Sequence, residues 1–97
     1  MITEHTIVVA VDQQVSGELP DGDAVILNLN NGVYYGLNQV GARIWNMIQK
    51  PISVAEICET LLNEFDVERD HCVCDVISLL NEMDANELVS VQGESIH

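Results

Sequence analysis

About a third of the way along the chain, the apolar residues change their spacing. Short apolar runs give way to recurrence every three or four positions. Thr6-Ile7-Val8-Val9-Ala10-Val11 is a β-branched run and predicts a first strand. Asp12 to Gly22 holds Ser-Gly and Pro-Asp-Gly signals and reads as a loop ending in a turn. Ala24-Val25-Ile26-Leu27-Asn28-Leu29 predicts the second strand and Val33-Tyr34-Tyr35-Gly36-Leu37 the third. Between them lies Asn30-Asn31-Gly32, whose Asn-Gly pair is the strongest short-range hairpin signal, so the two strands should run antiparallel.

From Asn38 onward the period is helical. Asn38 can cap a first helix running to about Gln49, with Val40, Ile44, Trp45 and Ile48 at helical spacing and Pro51 as its stop. Ser53-Val54-Ala55-Glu56 forms a capping box for a second helix to about Phe65, carrying Val54, Ile57, Cys58, Leu61 and Leu62 on one face. A third starts near Glu68 to Asp70, where acid favours a helix N-terminus, and runs to about Ala85, with Asn86 as a left-handed cap. Leu88 to Val91 reads as a short extended tail, and Gly93 to His97 as frayed. The expected class is α+β, a three-stranded antiparallel sheet followed by three helices. On the third helix Val73, Ile77 and Leu80 form one stripe. Cys72, Val76, Leu79 and Met83 form another, roughly 100° away. Both stripes can be core, or the second can line a groove beside the sheet.

Length and composition narrow the class. Ninety-seven residues suit a single domain, 1–97, since two cores would each be too small. No apolar run approaches a membrane span and no basic start precedes an apolar stretch, so a soluble cytoplasmic protein is expected. Three basic residues (Arg43, Lys50, Arg69) face sixteen acidic ones, for a net charge of −13. Nucleic-acid binding needs Lys and Arg to displace counterions, so it is disfavoured, as are anionic membranes. Partners should be neutral or basic, unless the acid serves only solubility.

Little chemistry is on offer. The odd cysteine count (Cys58, Cys72, Cys74) does not suggest a disulfide framework. Residues two apart on a helix point roughly 200° apart, so Cys72 and Cys74 cannot share an ion; no metal or cofactor is expected. His71 adjoins Cys72 but adjacent helix residues do not face each other, and neither a phosphate loop nor a nucleophile elbow occurs. No catalytic residue is assigned and a non-enzyme is expected. What remains is recognition. The third strand is a candidate sheet edge with no charge, proline or bulge, and it alternates Val33, Tyr35 and Leu37 against Tyr34 and Gly36. Its tyrosines are either one core and one wet residue, or contact surface for a partner.

The stretch from Leu27 to Trp45 carries Gly32-x-Tyr34-Tyr35-x-Leu37-Asn38-x-x-Gly41-Ala42-x-Ile44-Trp45. In that pattern the chain resembles the PqqD-like family. Ser53-Val54-Ala55-Glu56-Ile57, Asp75-Val76-Ile77-x-Leu79-Leu80 and Leu88-Val89 also fit, so the resemblance covers about residues 5–91. It implies a winged helix-turn-helix-like fold. It also implies a recognition element for ribosomally made, post-translationally modified peptides. Such members bind the precursor's leader as an extra antiparallel strand, in a groove closed by the third helix. Carried onto this chain, the implied peptide-binding residues are Val33, Tyr34, Tyr35, Gly36 and Leu37 on the strand and Cys72, Val76, Leu79 and Met83 on the helix. Asp75 and Glu82 stand where they can meet a basic or hydroxyl-bearing leader residue. The form Asn28-x-Asn30-Asn31-Gly32 before the tyrosines is similar to the stand-alone recognition proteins of lasso-peptide clusters. That implies a leader peptidase and a macrocyclase as partners of a monomer or weak dimer. A peptide chaperone for a radical SAM enzyme is the alternative. A winged-helix transcription regulator fits less well, because Arg69 is the third helix's only base.

Overall fold

The computed structural model describes residues 2–11 and 14–94. Its elements run β1 (Thr6–Ala10), β2 (Gln14–Glu18), β3 (Ala24–Asn28), β4 (Tyr34–Leu37), α1 (Gln39–Met47), β5 (Ile52–Ser53), α2 (Val54–Glu64), α3 (Arg69–Ala85) and β6 (Val89–Glu94). The expected class holds: a three-stranded antiparallel sheet, here ordered β2-β3-β4, is followed by three helices. Its membership differs from expectation in one strand. The segment expected as a loop supplies β2, paired along β3 from Gln14–Asn28 to Glu18–Ala24. Only its end turns as anticipated, with Gly22 N–H donating to Leu19 O at 3.0 Å and Gly22 at φ 92°. Asp12 and Gln13 of that expected loop lie outside the described residues. The first strand, β1, sits in a second sheet ordered β5-β1-β6. There it pairs with the tail, whose strand takes in Gly93 and Glu94 of the end expected to fray; residues 95–97 of that end lie outside the described residues.

The β3–β4 hairpin closes through four residues, 29–32. Asn28 N–H donates to Val33 O (3.0 Å) and Gly32 N–H to Asn28 O (2.8 Å). Gly32 takes the left-handed conformation at φ 71°, a position where glycine carries no Cβ penalty. Asn28 is itself buried, and its side chain spans to the helical layer. Nδ2 donates to Asn86 O (3.0 Å) while Oδ1 accepts from Asn30 N–H (2.9 Å). Asn28→Ala leaves both backbone groups short of a partner, and should cost about 2 kcal/mol. Urea unfolding checks this, and a loss under roughly 0.5 kcal/mol would mean that water replaces both bonds.

Helix ends follow local chemistry. Asn38 Oδ1 accepts from Gly41 N–H at 2.8 Å and Ser53 Oγ from Glu56 N–H at 3.2 Å, as the caps require. The C-terminus of α3 departs from expectation. Glu87, not Asn86, is left-handed (φ 60°), with Leu88 N–H on Met83 O (2.8 Å) and Glu87 N–H on Asp84 O (3.1 Å). That is a Schellman pattern one residue further on, closed without glycine. The core gathers Ile26 from β3, Ile44 from α1 and Ile48 at its C-cap, Ile57 and Leu61 from α2, and one stripe of α3: Cys72, Val76, Leu80 and Met83. The two expected stripes are therefore one, with Val73 and Ile77 on one flank and Leu79 on the other.

Candidate functional site

On the Leu79 flank of α3 a groove of about 420 Å³ opens between that helix and β4. Tyr35, Gly36 and Leu37 form its strand side. Cys72, Asp75, Val76, Leu79 and Glu82 form its helix side. At about 100° per residue, Asp75, Leu79 and Glu82 fall together beside the core stripe, so one helix serves two surfaces. Eight of the eleven residues singled out from the sequence meet here. The other three do not. Met83 is fully buried in the core, which corrects its placement in the groove: it shares the inward direction of Cys72 and Val76 on α3 but lies two turns beyond Val76. Val33 and Tyr34 are exposed and outside the groove, Tyr34 because strand alternation turns it to the opposite face from Tyr35.

The groove's floor escaped the sequence. Val40, Gly41 and Ile44 of α1, Leu61 of α2 and Phe65 at its C-cap line it, with Val67 from the connection and His71 at the entry of α3. Val40 and Val67 are exposed apolar residues in the structure, and no pattern in the sequence separates them from core. Gly41 sets the depth. A Cβ there would stand 3.2 Å from Leu37 Cβ and Cδ2, so glycine lets α1 approach β4 closely.

Along the groove, β4 is a sheet edge. The bond between Asn28 and Val33 marks a hydrogen-bonded pair, so alternation makes Ile26–Tyr35 and Ala24–Leu37 bonded pairs too. The N–H and C=O groups of Tyr34 and Gly36 consequently face outward. A Cβ on Gly36 would stand on the sheet's other face, away from the groove, and meet nothing within 4 Å.

Charge is confined to the rim. Tyr35 Oη donates to Glu82 Oε2 at 2.6 Å, a clasp from β4 to α3. Burial first, then the bond to Glu82 and its charge, push the Tyr35 hydroxyl up to about 12, so it stays a donor at neutral pH. Asp75 is the second rim carboxylate, one turn before Leu79. Beneath them Cys72 packs with Cys58 of α2. Burial, then Cys72, push the Cys58 thiol up to about 12, which leaves it protonated and a poor nucleophile. Cys74 is exposed while Cys72 is buried, the divergence that helical geometry required. Among the described residues no group of three or more His, Cys, Asp or Glu is placed to hold a metal ion.

The family model described as Coenzyme PQQ synthesis protein D (PqqD) matches residues 23–89. Among solved structures, TbiB1 in complex with the TbiA(beta) leader peptide is 30% identical, with a TM-score of 0.76, over 90% of this chain and 98% of that one. A lasso peptide synthetase B1 complexed with the leader peptide is 23% identical, with a TM-score of 0.74, over 86% of this chain and 96% of that one, a likeness of fold. No curated protein matches the chain.

Proposed function

The chain belongs to the PqqD family, and from that premise we propose that it is a non-catalytic adaptor for the leader segment of a ribosomal precursor peptide. One observation carries this reading: an open strand edge runs alongside an apolar groove, in a fold whose 30%-identical relative is a complex with a leader peptide. The leader adds as an antiparallel strand on β4, with the outward groups of Tyr34 and Gly36 fixing its register. Apolar leader side chains then enter the groove between Leu37, Val76, Leu79 and Phe65. Each such anchor contributes roughly 1.5–3 kcal/mol, so two or three give micromolar binding once ordering costs are met. The rim carboxylates Asp75 and Glu82 meet a basic or hydroxyl-bearing leader residue.

The role is presentation, by one domain working in the cytoplasm, to a leader peptidase and a macrocyclase of a lasso-peptide pathway. The Asn28-x-Asn30-Asn31-Gly32 form supports that branch of the family. Among the described residues no helix is long and apolar enough to cross a membrane. Binding suits the site better than catalysis does, because the groove's thiol Cys72 is buried. Calorimetric titration of leader peptides is the test. A lasso-type leader should bind at micromolar concentration or tighter and release its affinity when Leu79 is changed. Binding only to the precursor of a radical SAM pathway would move the chain to that branch, and no heat from either would refute the adaptor.

A further inference from the structure

The β2-β3-β4 sheet has a second face. Ala24 and Ile26 of β3 are buried beneath α1, while Val25 and Leu27 point the other way and are half-buried. On that outer face Leu29 is 56% exposed and Tyr34 69%. Val25 lies between Gly17 and Gly36 in the pairing, and at both glycines a Cβ would meet open space. An antiparallel sheet with one wet face normally alternates apolar with polar residues. Here Ala24-Val25-Ile26-Leu27 is apolar throughout, the composition of a strand covered on both sides, yet among the described residues only one side is covered.

Resting on the leader-binding reading above, we propose that this outer face docks the enzyme that receives the bound peptide, a protein presenting an apolar patch bordered by lysine and arginine. Direction is the first reason. A peptide added antiparallel to β4 runs its C-terminal end toward Tyr34 and the hairpin. The residues that follow a leader, which are those to be processed, emerge beside Leu29 and Tyr34. Continuity is the second, since β4 offers its edge to the peptide and its outer side to this face. Charge decides between occupants. At −13, two copies of the chain repel one another, whereas a basic-rimmed partner is attracted.

The experiment uses the full chain with Val25→Thr, Leu27→Thr and Leu29→Ser together, changes that keep strand propensity and remove the apolar face. Leader affinity is measured by calorimetry, and association with the purified cognate leader peptidase by interferometry. Leader affinity should stay within about twofold of wild type while peptidase affinity falls roughly tenfold or more. Wild-type peptidase binding should also weaken as salt rises from about 0.05 to 0.5 M. Should the triple variant not melt cooperatively, Leu29→Lys alone, at an exposed position, carries the same expectation. Unchanged peptidase binding by a folded variant overturns the proposal. So does a wild-type dimer in sedimentation that the variant dissolves, which would make a second copy the occupant. Failure of the wild type to bind leader would strike the adaptor reading instead, and is seen in a separate measurement.

Discussion

Leu79→Glu is expected to abolish leader binding while the protein stays folded. Leu79 stands on the groove wall between Asp75 and Glu82 and is only partly buried, outside the stripe of Cys72, Val76, Leu80 and Met83 that holds α3 to the core. Its removal takes away an apolar contact worth roughly 1.5–3 kcal/mol to a bound side chain. The new carboxylate must also lose water whenever an apolar leader residue enters, a second penalty of similar size. Together these amount to a loss of at least about 100-fold in affinity. Glutamate is a good helix former, so the thermal midpoint should move by only a few degrees. Calorimetry and a melting curve on the same sample give both values. Wild-type affinity in this variant would place the peptide away from the groove.

Leu79 is legible in the sequence because its direction on α3 is set locally, by helical spacing. The hairpin, the caps at Asn38 and Ser53 and the breaks between helices likewise depend on residues within a few positions of one another, and each is where the sequence puts it. β2 depends on a partner instead. Gln14-Val15-Ser16-Gly17-Glu18 has turn residues within it, and its five pairings with β3 override that weak propensity. β1 finds its partner β6 some eighty residues away by number, from Thr6–Glu94 to Ala10–Val89, a pairing that no local pattern announces.

The groove divides along the same line. Its walls are β4, an edge evident from its lack of charge and proline, and the Leu79 side of α3. Its floor is made of Val40, Ile44, Leu61 and Phe65, which repeat at helical spacing just as ordinary core does. Whether such residues face a neighbour or a cleft depends on how far the helices stand apart, and here on Gly41 against Leu37. Leu80, Val73 and Ile77 likewise all pack on the core, yet only Leu80 is fully buried. Spacing gives the relative directions on a helix, but the position of α2 and the sheet decides which direction is inward.

Gly36→Pro separates the two halves of the proposed mechanism, because it leaves the groove's side chains alone and alters only the strand edge. The Gly36 N–H points outward, so proline there removes no bond to β3, and edge positions of this kind tolerate it. Tyr35 before it is already in a strand, the conformation that a residue preceding proline prefers. The ring has open space to occupy. An incoming strand, however, loses one donor and meets the ring where its own backbone should lie. Leader affinity should drop by at least tenfold, more than the roughly 0.5–1.5 kcal/mol of a single hydrogen bond, because the ring also blocks neighbouring contacts. Gly36→Ala retains the N–H and should bind within about threefold of wild type. If Gly36→Pro binds normally while Leu79→Glu does not, the peptide occupies the groove without joining the sheet. Helix-in-groove binding would then replace strand addition as the mode of recognition.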